Sequence, residues 1–377
     1  MLWVFWLSAI FLAYTFVGYP IAVWLLSLVR RRTHRKAPIS PLVAIVIAAH
    51  NEERIIRNKL LNSLELEYPA DRREIIVVSD ASNDRTAEIV RSFAAQGVKL
   101  VEASERRGKH FAQMLGFRAS RGDILVFTDA SVRLEPQVLG KLVSNFADPT
   151  IGCVTSVDQV DTEQKSWSGE KLYVQFEMWL RKSEARACSL LGASGSFFAV
   201  RRELCDIWEP EMSSDFHLPL HAMMRGLRTI VDPDCVGFYG VVRSEKIELQ
   251  RKVRTIVHGL DVFFHHLALL NPFRYGIFAW QLLSHKLFRW LSPFAALSLL
   301  MANIFLWKAG LSYQSSLLAQ VALYGTGLLG FTTEAMLRYR LLKLTNFFVV
   351  GSIATLVAWW RYVSGERLVA WNPSERR

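Results

Sequence analysis

The chain has 377 residues, 51% of them apolar, and a formal net charge of +11. That length allows one soluble domain of roughly 200–250 residues plus further segments. Much of the basic excess lies beside apolar stretches and there is no basic-aromatic recognition motif. The charge therefore favours anionic lipid headgroups and argues against nucleic acid. Cys153, Cys188, Cys205 and Cys235 form no C-x-x-C pair and read as reduced structural residues of a cytosolic domain.

Residues 2–29 are almost uniformly apolar, longer than the roughly 20 residues that span a bilayer. Arg30, Arg31, Arg32, His34, Arg35 and Lys36 follow at once. A cleavable signal peptide carries its positive charge before the apolar run. Residues 1–30 are therefore expected to be a retained transmembrane helix with its basic end in the cytosol.

Residues 37–243 read as the soluble domain. The runs 42–49, 74–79, 98–101 and 124–128 have the continuous apolar pattern of buried strands. Helical stretches separate them, which predicts an α/β fold with a mostly parallel sheet flanked by helices. Residues 135–147 read as a helix, 153–157 as a strand and 166–187 as a long amphipathic helix. A small, Gly-rich stretch, 191–200, leads to a helix from about 213 to 225 and a strand over 228–240.

Residues 244–290 alternate basic and apolar positions at helical spacing and are expected to lie in a membrane interface. Residues 291–362 are expected to be a C-terminal transmembrane region. Three apolar stretches, at about 290–307, 315–333 and 344–360, approach spanning length, and 363–377 is a tail. Three spans would leave Arg361, Arg367, Arg376 and Arg377 on the side that the positive-inside rule disfavours. The expected location is a cell (inner) membrane, with the soluble domain in the cytosol.

The polar residues at the strand ends carry the chemistry, because open α/β sheets bind ligands at the carboxyl ends of their strands. Asp129 and Ser131 close the run 124–128 and are expected to hold Mg²⁺ or Mn²⁺ and the diphosphate of a sugar nucleotide. Such cations accept one or two carboxylates when phosphates supply the other oxygens. A helix cap is the competing reading. Ala49, Asn51 and Glu53, around the first strand's H-N-E-E end, and Asp80, after the second, are expected to contact the nucleoside. The rival for Asp80 is an Asx turn, and for Glu53 an acid at a helix N-terminus.

Lys109, after Gly108, suits a phosphate. Arg251 and Arg254, three apart on one helical face, suit the same diphosphate or a lipid-facing helix. Asp215 is the candidate general base, since glycosyl transfer with inversion needs one carboxylate to take the acceptor's proton. Its S-S-D-F setting also fits a helix N-cap. His217, His221, His265 and His266 lack the H-E-x-x-H pattern of zinc hydrolases and read as structural.

The ordered set H-N-E-E (50–53), S-D-A-S-N-D-R-T (79–86), G-K (108–109), T-D-A-S (128–131), G-A-S-G-S-F-F-A-V-R-R (192–202), S-D-F (214–216) and R-K-V-R (251–254) spans nearly the whole chain. It resembles the membrane-integrated family-2 glycosyltransferases of GT-A fold, the group that contains cellulose, hyaluronan and poly-N-acetylglucosamine synthases. The resemblance implies that Asp80 contacts uridine and that Asp129 is the first residue of a D-x-D cation motif. It likewise implies that Asp215 is the catalytic Asp of T-E-D, Arg254 the Arg of Q-x-x-R-W, and Ser194, Gly195 and Ser196 part of an acceptor loop.

The motifs depart from that pattern: D-x-D is D-A-S, T-E-D is S-S-D, and R-K-V-R-T lacks the Gln and Trp of Q-x-x-R-W. The missing Trp makes single transfer at least as plausible as polymerisation. The implied activity is inverting, metal-dependent transfer of a sugar from a nucleotide-sugar donor, UDP-linked, to a glycan or lipid-linked acceptor at the membrane. One alternative is a weak or inactive subunit that anchors or exports a partner's glycan. The other is a nucleotidyltransferase, which would need an early Gly-rich phosphate loop.

Overall fold

The computed structural model describes residues 1–160, 169–240, 245–329 and 340–366. Eight strands form one sheet: β1 (Val43–Ala49), β2 (Arg73–Ser79), β3 (Val98–Glu102), β4 (Ile124–Asp129), β5 (Val132–Leu134), β6 (Ile151–Val160), β7 (Phe197–Arg201) and β8 (Arg228–Tyr239). Their spatial order is β3-β2-β1-β4-β7-β6-β8-β5. Every residue of β1 is buried, because helices cover both faces. Strand alternation sends Val43, Ile45 and Ile47 into one apolar layer and Ala44, Val46 and Ala48 into the other.

The longer helices among the described residues are α1 (Leu2–Arg30), α2 (Ile56–Leu64), α3 (Thr86–Arg91), α4 (Lys109–Ala119), α5 (Val138–Ser144), α6 (Gly169–Ala187), α7 (Ser214–Met224), α8 (Glu245–His265), α9 (Ile277–Phe305), α10 (Leu311–Leu329) and α11 (Arg340–Val363). α4 lies close on the sheet through Gly116, where an added Cβ would come within 2.3 Å of Val46.

The sheet is mixed rather than mostly parallel. β1, β2, β3 and β4 pair in parallel, as do β6 and β8, but β7 runs antiparallel to β4 and β6, and β5 antiparallel to β8. The reason is the Gly-rich stretch. It delivers the chain to the edge where β4 ends, pairing Thr128 with Phe197, so β7 must run back along β4. That reversal puts residues 192–196 beside Asp129.

The C-terminal region also differs from expectation. An interfacial helix ending near 291 and a separate span from about 290 are one helix, α9, which runs through Pro293. Among the described residues, α1 and α9 are long and apolar enough to cross a membrane by length and composition. α10 carries Gln314, Gln320 and several serines; Asn303 of α9 donates to Ser316 Oγ at 3.0 Å and Gln320 Oε1 at 2.7 Å. Among the described C-terminal residues α9 is long and apolar enough to cross a membrane, so one of the three expected spans is supported and the three-span arrangement is not confirmed. The expected helix start at 166, the domain boundary at 243 and the tail from 367 lie outside the described residues.

Both long apolar helices carry a π-bulge, over Tyr14–Gly18 in α1 and Leu283–Leu287 in α9. The bulges face each other: Tyr14 and Ser284 hydroxyls are 2.8 Å apart, and Trp280 Nε1 donates to Tyr14 at 2.7 Å. Glu184 of α6 locks the two helices to the soluble domain. It takes the Tyr19 hydroxyl and pairs with His285 at 2.5 Å.

Candidate active site

The first half of the site is built from loops after β1 and β2 that clasp each other. Asn51 and Ala81 both adopt left-handed backbone, φ 54° and 49°, an uncommon geometry that the surrounding contacts must hold. Asn51 Oδ1 accepts from the Asn83 amide at 2.9 Å, and Glu53 Oε2 from the Arg85 amide at 3.2 Å. Asp84 accepts from the Thr86 amide and the Glu53 amide. Burial opposes ionisation of Asp84, but bonds from Thr86 outweigh it and hold its carboxyl below the usual range.

Asp80 is buried, and both its carboxylate oxygens are occupied: Oδ1 accepts from the Arg107 amide at 2.9 Å and Oδ2 from the Gly108 amide at 2.8 Å. In this structure Asp80 shapes the loop that begins α4. Gly108, at φ 92°, makes the turn.

Lys109 then reaches across to β4. Its ammonium pairs with Asp129 Oδ1 and donates to the Gly195 carbonyl at 2.7 Å. Beneath Asp129, buried Lys59 of α2 donates to Thr128 Oγ1 at 2.9 Å and the Val132 carbonyl at 2.7 Å, gripping both sides of the Asp129–Ser131 turn. Burial brings the Lys59 ammonium down to about 7, with Asp129 pulling it back. Burial and neighbouring Arg251 likewise lower the Arg254 guanidinium, and the Asp129 carboxylate opposes them. Asp129 thus lies among Lys59, Lys109 and Arg254.

Residues 192–196 form the hub. Ser196 O accepts from the Asp129 amide at 3.0 Å, and the Ala193 amide donates to Asp215 O at 2.7 Å. Asp158, at the end of β6, takes hydrogen bonds from Ser194 Oγ at 2.5 Å and Ser196 Oγ at 2.6 Å. Arg181 of α6 donates to the Gly192 carbonyl at 2.8 Å. Gly195 is pressed against the Asp215 carboxylate; an added Cβ would lie 2.9 Å from Asp215 Oδ2. Lys109 and Asp129 therefore hold one side of this loop and Asp215 abuts the other.

Asp215 opens onto a cavity of about 470 Å³ between the soluble domain and α9. Asp158, Arg181, Arg251, Lys286 and Trp290 also line it. Glu177 on its wall bonds Arg289 at 2.5 Å; burial opposes its ionisation, but Arg289 and His285 hold its carboxyl well below the usual carboxylate range.

Asp129, Lys109, the loop 192–196 and Asp215 thus come together. Arg251 lines the cavity and Arg254 feels the Asp129 carboxylate, while Asp80 and Glu53 are held in the loops after β2 and β1. Ala49, at the end of β1, contributes its carbonyl to the Asp80 amide at 2.8 Å. Ser131 follows Asp129 in the turn before β5.

The sequence reading missed Lys59, Asp158 and Lys286. Asp158 had a usable signal, a carboxylate directly after the expected strand 153–157. Lys59 and Lys286 are lone lysines at helical positions, which look like any solvated residue.

Residues 44–208 match the family model "Glycosyl transferase family 2". This stretch is thus similar to a family-2 glycosyltransferase domain.

Among similar proteins, the probable glycosyltransferase YdaM of Bacillus subtilis is 31% identical over 175 residues, 44% of this chain and 42% of that protein. The beta-monoglucosyldiacylglycerol synthase of Trichormus variabilis is 25% identical over 278 residues, 70% of this chain and 58% of that protein. The chain thus spans about half the length of these relatives. A solved structure, the mannosyltransferase PcManGT from Pyrobaculum calidifontis in complex with GDP-Man and Mn²⁺, superposes with a TM-score of 0.74. It is 24% identical, with 96% of this chain and 99% of that chain covered. The chain therefore has a GT-A-like fold with a mixed sheet.

Proposed function

We propose that this protein is an inverting glycosyltransferase that moves a sugar from a nucleotide-sugar donor, UDP-linked, to an acceptor held against the membrane. The observation that carries the reading is the loop 192–196, with Lys109 and Asp129 on one side and Asp215 on the other. A donor diphosphate at Lys109 and Arg254 puts its anomeric carbon next to the cavity that Asp215 faces. The acceptor oxygen bonds to that carbon as the carbon–oxygen bond to the diphosphate breaks. Asp215 takes the hydroxyl proton and the nucleoside diphosphate leaves. Asp80 acts as a positioning residue through the Arg107–Gly108 amides, and Asn51 and Glu53 brace the nucleoside side.

Among the described residues no group of three His, Cys, Asp or Glu side chains forms a cation cage. The oxygen donors present, Asp129 and Ser131, suit Mg²⁺ or Mn²⁺ shared with the donor's phosphates. Such a cation offsets charge on the leaving diphosphate. In this reading α1 and α9 cross a cell (inner) membrane, as their exposed apolar residues such as Trp3, Leu7, Leu297 and Phe305 favour. The acceptor cavity then lies at the junction of cytosolic domain and bilayer, where a glycan or lipid-linked acceptor can be presented.

The test is a donor screen. Purified protein in nanodiscs with a panel of nucleotide sugars is expected to release nucleoside diphosphate from one of them and add one sugar mass to an added acceptor. Pyrophosphate as product, or no turnover with any donor, would overturn the reading.

A further inference from the structure

Two cations that line the acceptor cavity, Lys286 and Arg181, are not directly paired with its carboxylates among the described residues. Glu177 is bonded to Arg289, and Glu184 to His285 and Tyr19. Asp158 is satisfied by two serine hydroxyls. Lys286 has no hydrogen bond or ion pair among the described residues; its ammonium rests 4.8 Å from the ring centre of Phe216, the neighbour of Asp215. Arg181 gives one nitrogen to the Gly192 carbonyl and has no carboxylate within ion-pair distance among the described residues. Two cations thus line one cavity without a direct ion pair among the described residues, and Glu177 and Glu184 act on Lys286 only from beyond contact, a costly arrangement in a partly buried place. Lys286 is also carried by the π-bulge of α9. Such bulges re-aim side chains at the expense of helix regularity and are frequent at functional sites.

We propose that Lys286 and Arg181 form an anion subsite, and that the acceptor carries a phosphate group close to the hydroxyl that attacks. A phosphate bound there neutralises both cations and fixes its neighbouring hydroxyl at Asp215. The same chemistry is offered by a lipid headgroup or by a soluble sugar or glycerol phosphate. The inference rests on assigning this cavity to the acceptor.

The test reads binding alone. Full-length protein in detergent is titrated with dioctanoyl phosphatidic acid, dioctanoylglycerol and glycerol 3-phosphate, and separately with nucleotide sugars. Wild type is expected to bind the phosphatidic acid about tenfold or more tightly than the matched neutral lipid. Lys286→Met is expected to abolish that preference, and Lys286→Arg to keep most of it. Tight binding of glycerol 3-phosphate would assign the phosphate to a soluble acceptor; weak binding would assign it to a lipid. Equal binding of charged and neutral lipid by wild type, or an unchanged preference in Lys286→Met, would overturn the subsite. Because nucleotide-sugar affinity is read independently, its retention in Lys286→Met shows a folded donor side. Its absence in wild type would count against the glycosyltransferase reading instead.

Discussion

The two sides of the loop 192–196 are built differently. The side proposed for the donor is one sheet edge: Asp80, Lys109 and Asp129 follow successive strands or the loops between them; the Arg107 and Gly108 amides fix Asp80, and Lys109 pairs with Asp129 and donates to the Gly195 carbonyl. The side proposed for the acceptor is assembled from a helix start (Asp215), a strand end (Asp158), α6 (Arg181) and a bulged apolar helix (Lys286). The first is preorganised by local chain geometry, whereas the second exists only when distant segments dock. Donor-side changes should therefore act mainly on the chemistry, and acceptor-side changes should separate binding, catalysis and stability.

The largest effect should come from the cation. Chelation with EDTA is expected to stop nucleoside diphosphate release, and Mg²⁺ or Mn²⁺ to restore it; full activity without metal would discard the Asp129–Ser131 cation site. Lys109→Met, which removes the ammonium bridging Asp129 and the loop, should lower kcat by roughly 10²–10³-fold. A loss below about tenfold would take Lys109 out of the donor side.

Gly195→Ala is the sharper probe of the boundary. Its Cβ displaces the Asp215 carboxylate rather than the sheet. We expect kcat to fall about 10–100-fold with donor affinity unchanged; equal losses in both would erase the distinction between the two sides.

The smallest effect concerns the support behind Asp215. His217 of α7 is buried, and neither ring nitrogen has a hydrogen-bond partner among the described residues. Burial, with His266, His221 and His265 adding to it, pushes its imidazole down to about 3. An unfolded histidine titrates near about 6.5. The folded state thus binds fewer protons, and stability present above pH 6.5 is lost as pH falls toward 3. By pH 5 the loss should be about 2 kcal/mol. Thermal melts of His217→Phe should show a flatter acid limb than wild type; identical limbs would exclude His217 as the source.

The same contrast explains what the sequence made legible. Runs such as Val43–Ala49 mark fully covered strands by composition alone, so the β1–β4 half of the sheet and its strand-end acids stand out. β7 did not, because it is short and follows a Gly-rich stretch, and its reversed direction comes from pairing with β4, which no local pattern encodes. Asp215 was visible only through its motif neighbourhood. Lys59 and Lys286 were invisible, since a buried or cavity-facing lysine has the same sequence signature as an exposed one. The continuity of α9 was missed because its basic residues, His285, Lys286 and Arg289, suggested an interface, whereas they turn inward to Glu184, Phe216 and Glu177.

The most direct measurement pairs turnover with donor binding in Asp215→Asn. The carboxamide keeps the shape of the side chain next to Gly195 but cannot take the acceptor's proton. Donor affinity should match wild type while sugar transfer falls by about 10²–10⁴-fold. Transfer at the wild-type rate would contradict a shared reaction centre across the loop 192–196.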